Sequence, residues 1–109
     1  AMLSTLPVAE QNECIRANAK RLGSYGGLTE STLRAFIRAT QRRGHAIIGH
    51  YSVPGVIGIG MAMHNATGVL LGAITTASID SRMTREDKQA AASCMARHIE
   101  RVQSSLDIL

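Results

Sequence analysis

Between Gly44 and Ser78 the chain is mostly apolar and, read with a period of two, falls into three strand-like runs separated by two breaks. Successive side chains of an extended chain point to opposite faces, so the pattern predicts strands over His45 to Val53, Val56 to His64 and Val69 to Ser78. At the first break, Val53-Pro54-Gly55-Val56 sets Pro where a turn needs negative φ and Gly where it needs positive φ. At the second, His64-Asn65-Ala66-Thr67-Gly68 supplies Asn and Gly for the same purpose. Reversals this short join neighbouring strands antiparallel, so the stretch reads as a meander.

Side-chain size divides unevenly between the faces of that meander. Ile57, Ile59, Met61 and Met63 fall on one side of the middle strand, and Val56, Gly58, Gly60, Ala62 and His64 on the other. The third strand divides less cleanly, with Leu70, Gly72, Ile74 and Thr76 opposed to Val69, Leu71, Ala73, Thr75 and Ala77. A face of Ile and Met has to pack on something, most simply a helix. A face of Gly, Ala and Thr leaves room for a small molecule or for another stretch of protein.

Helical periodicity flanks the meander. A first helix is expected from about Pro7 to Leu22, with Val8, Ile15, Ala19 and Leu22 on one stripe and Gly23 as the stop. Thr29 caps a second, lined on one side by Leu33, Phe36, Ile37 and Thr40 and ended by Gly44. After the strands, Thr84-Arg85-Glu86-Asp87 has the form of a capping box, and Ala91, Cys94, Met95, Ile99, Val102 and Leu106 continue as an apolar stripe. The expected fold is α/β, more narrowly α+β: an antiparallel meander with helices packed on one face, in the order α-α-β-β-β-α.

Composition narrows the function classes. A chain of 109 residues is one domain, 45% apolar and 18% charged, with no stretch apolar enough to span a membrane and no basic-then-apolar leader, which reads as cytoplasmic. Cys14 and Cys94 form no CxxC and read as reduced thiols used as small apolar residues. The net charge of +4 gathers only at Arg38, Arg42 and Arg43, where cations complement a helix C-terminus, and with no Trp and one Phe there is no stacking platform for nucleic acid. Gly58-Ile59-Gly60 lies within a strand and opens no helix, so it is not a dinucleotide fingerprint. His45, His50, His64 and His98 have no metal-ligand spacing, and no Ser, His and acid arrangement marks a nucleophile. Neither a cofactor nor an enzymatic reaction is expected.

The run RRGHAIIGHYSVPGVIGIGMAMHNATGVLLGAITTASIDSR, from Arg42 to Arg82, resembles the effector-binding domain of IclR-type bacterial transcriptional regulators. The opening Ala-Met-Leu-Ser-Thr-Leu-Pro and the Thr-plus-acid start of the last helix extend the likeness over nearly the whole chain. The resemblance implies a GAF-like fold, a small organic effector, assembly into dimers or tetramers, and DNA contact only through an N-terminal helix-turn-helix. Residues 1–109 would then be part of one effector-binding domain, without that DNA-reading module and the first part of the sheet. Carried over by position, the family's pocket falls on Ile48, where an acid is frequent, on Gly58, where a cysteine is frequent, and on Thr75 and Ala77, where serines are frequent. All four lie on the small-residue faces, and alternation adds His50 at the rim. Three of the four lack the family's polar group, which favours a bulkier, more apolar effector such as an aromatic acid over a two- or three-carbon acid. Two alternatives stand beside this one: a small α/β enzyme using His50 or His64, and a dimerisation module that takes no ligand.

Overall fold

The structure, a computed structural model, describes residues 1–108, with side chains described through Leu106. Its elements follow the expected order: α1 (Val8–Asn18), α2 (Glu30–Arg43), β1 (Ala46–Gly49), β2 (Val56–His64), β3 (Leu70–Ile79) and α3 (Arg85–Ile108), with short 3₁₀ turns at Leu3–Thr5, Leu22–Ser24 and Asp80–Arg82. The strands form one antiparallel sheet in the order β1-β2-β3. The two turns are built as their residues dictate. Gly55 sits at φ 80° with the Val56 N–H donating to the Val53 carbonyl, and Gly68 at φ 84° closes a loop in which Asn65 Oδ1 accepts from the N–H groups of Thr67 and Val69.

The core lies between the bulky face of β2 and α3. Ile59 is fully buried, Ile57 nearly so, and Ala92, Met95 and Ile99 of α3 meet them at helical spacing. Along α3 the expected stripe shifts by one position at its start, since Ala92 is buried while Ala91 is half-buried. It also loses its end, because Val102 and Leu106 remain exposed beyond Ile99. Cys94 and Cys14 are both free and exposed, so Cys94 does not share the burial of the stripe it was placed on.

The helix termini obey the capping residues. Thr29 Oγ1 accepts from the Thr32 N–H, and Gly44, at φ 85°, ends α2 by donating to the Thr40 carbonyl. At α3 the box is reciprocal: Thr84 Oγ1 accepts from the Asp87 N–H at 3.1 Å and Asp87 Oδ2 from the Thr84 N–H at 2.9 Å. The first helix is shorter than its periodicity suggested, ending at Asn18 rather than Leu22. Only Gln11 and Ile15 on it are buried, Val8 is exposed, and the exposed Lys20 and Arg21 with Gly23 offer no apolar face to hold another turn.

One strand boundary moved with consequences. β1 ends at Gly49, four residues short of the expected Val53, because His50 adopts φ 70°, the one positive value outside glycine among the described residues. A left-handed residue turns the chain out of the sheet and resets the alternation beyond it.

Candidate functional site

Register brings the small residues together. Ile48 stands opposite Gly58 and Gly58 opposite Ala77, so the three form one row across the sheet, and Thr75, opposite Gly60, is the next position on the same face. A Cβ at Gly58 would lie 3.6 Å from the Ile48 carbonyl oxygen and 3.9 Å from Thr75 Cγ2, ordinary contacts that leave open space above the row. At Gly60 the same atom would meet Thr75 Oγ1 at 3.3 Å and the Ala1 side chain at 3.5 Å. The bare face is therefore filled by the N-terminal turn at Gly60 and open at Gly58.

Over that open part lies a cleft of about 260 Å³, floored by Ile48, Gly58 and Ala77 and walled at one end by His50, Tyr51, Ser52 and Val53. Its chemistry is largely apolar, with Val56 beside the floor. Thr75 and Ala77 are exposed on this side, as are Leu71, Ala73 and Ile79 along β3, so the cleft is open toward the β3 edge. Tyr51 is the wall that sequence reasoning missed, since a strand continued to Val53 would have carried it to the opposite face. Two contacts fix its place. The Phe36 ring of α2 meets its ring edge-on, centroids 5.6 Å apart and planes at 82°. Its backbone passes against Gly26, where a side chain would run into the Tyr51 carbonyl oxygen and come within 2.9 Å of its Cα. The Gly26-Gly27 pair in the loop before α2 was the available signal.

His50 reaches the rim by a different route from the one alternation gave. Its ring Nδ1 accepts from the Gly55 N–H at 3.1 Å and its Nε2 lies 3.0 Å from Asp80 Oδ2, while Asp80 Oδ1 pairs with Lys88 of α3 at 2.9 Å. The Gly55 N–H can only donate, which leaves Nδ1 as the lone-pair nitrogen and puts the proton of the neutral ring on Nε2. Lys88 and then His50 hold the Asp80 carboxyl below the usual carboxylate range. The His50 side chain is more than half exposed, so these polar links orient the loop far more than they stabilise the fold.

A second cleft, about 370 Å³, lies at the other end of β2 among Thr40, Gln41, His45, Ala62 and His64, and contains none of the pocket positions read from sequence. His45 there is buried, and desolvation, followed by the neighbouring Arg43, holds its pKa below the ordinary histidine value. Among the described residues no group of three His, Cys, Asp or Glu side chains could hold a metal ion. No helix among them is long and apolar enough to cross a membrane.

The fold recurs in solved structures. The Agrobacterium tumefaciens repressor BlcR superposes with a TM-score of 0.84 at 21% identity, over 97% of this chain and 44% of that one. The C-terminal domain of the E. coli transcriptional regulator KdgR gives 0.85 at 11% identity, over 97% and 65%. The inducer-binding domain of the transcription factor PobR from Acinetobacter, a double mutant in complex with 3-hydroxybenzoic acid, gives 0.77 at 22% identity, over 94% and 59%. The chain thus spans about half the length of these relatives. No curated protein sequence matches it. The family model of the bacterial transcriptional regulator IclR C-terminal domain matches residues 1–102, and the chain belongs to that family of transcriptional regulators, which is not a family of enzymes.

Proposed function

We propose that the chain is an effector-sensing domain whose cleft on the small-residue face takes a small, largely apolar organic acid, an aromatic acid above all. The observation that carries this reading is the row Ile48, Gly58 and Ala77 beside a wall containing Tyr51: an apolar floor bare at Gly58 and Ala77, with an aromatic residue at its end. Few polar groups face the space; Thr75 stands one position beyond the cleft lining, its methyl toward Gly58 and its hydroxyl toward Gly60, so a ligand carboxylate would meet that hydroxyl at the Gly60 end of the row. The related inducer-binding domain of PobR holds 3-hydroxybenzoic acid, which supports the same ligand class. In the whole regulator, self-assembly through this domain and DNA contact through another would let the ligand act by linkage. An effector that favours one arrangement of the assembly shifts the fraction competent to bind DNA.

Titration calorimetry with benzoate and 3-hydroxybenzoate against glyoxylate and pyruvate tests the ligand class. Saturable binding of the ring acids is expected, and binding of the two- and three-carbon acids alone would sink it. Thr75→Val should weaken the ring acids about tenfold, the worth of one hydrogen bond to a charged group, with the melting temperature kept. A second reading has its own support in Leu71, Ala73 and Ile79, exposed along β3: protein instead of ligand fills this face, and the domain only assembles. Saturable uptake of a small acid at one site per chain discriminates against it.

A further inference from the structure

The 50–55 loop forms the end wall of the cleft, and one side chain within the loop ties it down at both ends. His50 sits in the left-handed region at φ 70°, which only its contacts justify. Its N–H donates to the Val56 carbonyl, its Nδ1 takes the Gly55 N–H, and its Nε2–H reaches Asp80, which Lys88 anchors to the first turn of α3. The groups facing the ring are thus Asp80 from the connector after β3, Lys88 behind it from α3, and the Gly55 amide from the turn into β2.

We propose that His50 is the positioning residue of the cleft wall: as a neutral ring it braces the loop at the Gly55 N–H, and when protonated it withdraws that brace and loosens the wall. The inference rests on the reading of the cleft as an effector site. Protonation adds a hydrogen at Nδ1, so two donors, Nδ1–H and the Gly55 N–H, point at each other and cannot stay at 3.1 Å. The bond to Asp80 survives, because Nε2–H donates in both forms. The ring therefore stays near the connector while the Gly55 N–H loses its acceptor. The Gly55 carbonyl still accepts from the Asp80 N–H at 2.9 Å and the Val53 carbonyl from the Val56 N–H at 3.1 Å, so the wall residues Tyr51 to Val53 lose one brace and keep their backbone ties. Effector affinity should then be weaker with His50 protonated than with it neutral, making the domain responsive to acidification as well as to its ligand.

Nuclear magnetic resonance on the ¹⁵N-labelled chain between pH 5.5 and 8 tests this without a ligand. At pH 8 the His50 nitrogens should report a proton on Nε2 alone. The protection factor of the Gly55 amide, normalised for intrinsic exchange, should fall about fivefold as the ring protonates, the equivalent of one modest hydrogen bond. His50→Asn keeps a residue that tolerates positive φ and an acceptor that does not titrate, so its Gly55 protection should not change with pH. A pH-independent Gly55 in the wild type, or a proton on Nδ1 at pH 8, overturns the proposal. Calorimetry with benzoate at pH 5.5 and 7.5 reads the consequence: weaker binding at the lower pH in the wild type, and no such difference in His50→Asn. Equal wild-type affinity at both values also overturns it. Benzoate that binds at neither pH counts against the effector reading, while the Gly55 amide still decides the role of His50.

Discussion

At Gly58 the absence of a side chain carries two opposed consequences. Glycine in a strand interior costs conformational entropy, and it leaves the floor of the cleft open. Since a Cβ there meets nothing closer than 3.6 Å, the site would accept alanine without strain. Gly58→Ala should therefore raise stability by about 0.5–1 kcal/mol, seen as a higher melting temperature, while weakening ring-acid binding in calorimetry. A gain in stability with unchanged binding would remove Gly58 from the site. Gly26 is the contrasting case. Its φ of 62° and its approach to Tyr51 leave no room for a side chain, so it keeps the loop against the cleft wall where Gly58 keeps the floor clear.

Among the elements, α3 has the clearest local logic and the least dependence on the site. Its start is fixed by the reciprocal Thr84 and Asp87 bonds and its middle by Ala92, Met95 and Ile99 against Ile57 and Ile59. Thr84→Ala removes the cap acceptor and should cost about 1 kcal/mol, measurable as a lower urea midpoint with an unchanged slope. The element most shaped by its surroundings is β1. It contributes four residues, and the loop after it, not the strand, builds the wall beside Ile48. β3 is long for an edge strand, ten residues from Leu70 to Ile79, with Thr75 and Ala77 exposed on the cleft side.

For the molecule as a whole, Asp80 ties the end of the sheet to the start of α3, and Asp87 closes that helix's own cap. Asp80 is held low by Lys88 and then by His50, Asp87 by the Thr84 backbone N–H. A carboxylate whose folded pKa is depressed adds stability above its unfolded pKa, near 3.8 here, and loses that contribution as the pH falls through the lower folded value. Denaturation midpoints should accordingly drop as the pH is taken below about 4. The drop should be shallower in Asp80→Asn, and an identical acid profile in that variant would show that the Lys88 and His50 links do not contribute. Ion pairs this exposed hold geometry more than they add stability, which suits a connection that orients the 50–55 loop against α3.

Much of this architecture was legible in the sequence because its causes are local. Alternation from Val56 to His64, Pro54-Gly55, Asn65 to Gly68, and the caps at Thr29 and Thr84 each act within a few residues, and the chain obeys them. The division into a bulky and a bare face follows from the same alternation, and with it the common side of Ile48, Gly58, Thr75 and Ala77. What only the tertiary structure decided are the contacts between residues distant in the chain. Asp80 lies thirty positions from His50 and Gly26 twenty-five from Tyr51, and these partners, not any periodicity, end β1 early and turn its continuation into the wall of the cleft. Alternation describes a chain only while it remains extended. Once a left-handed residue is held in place by distant contacts, side-chain direction is set by those contacts alone.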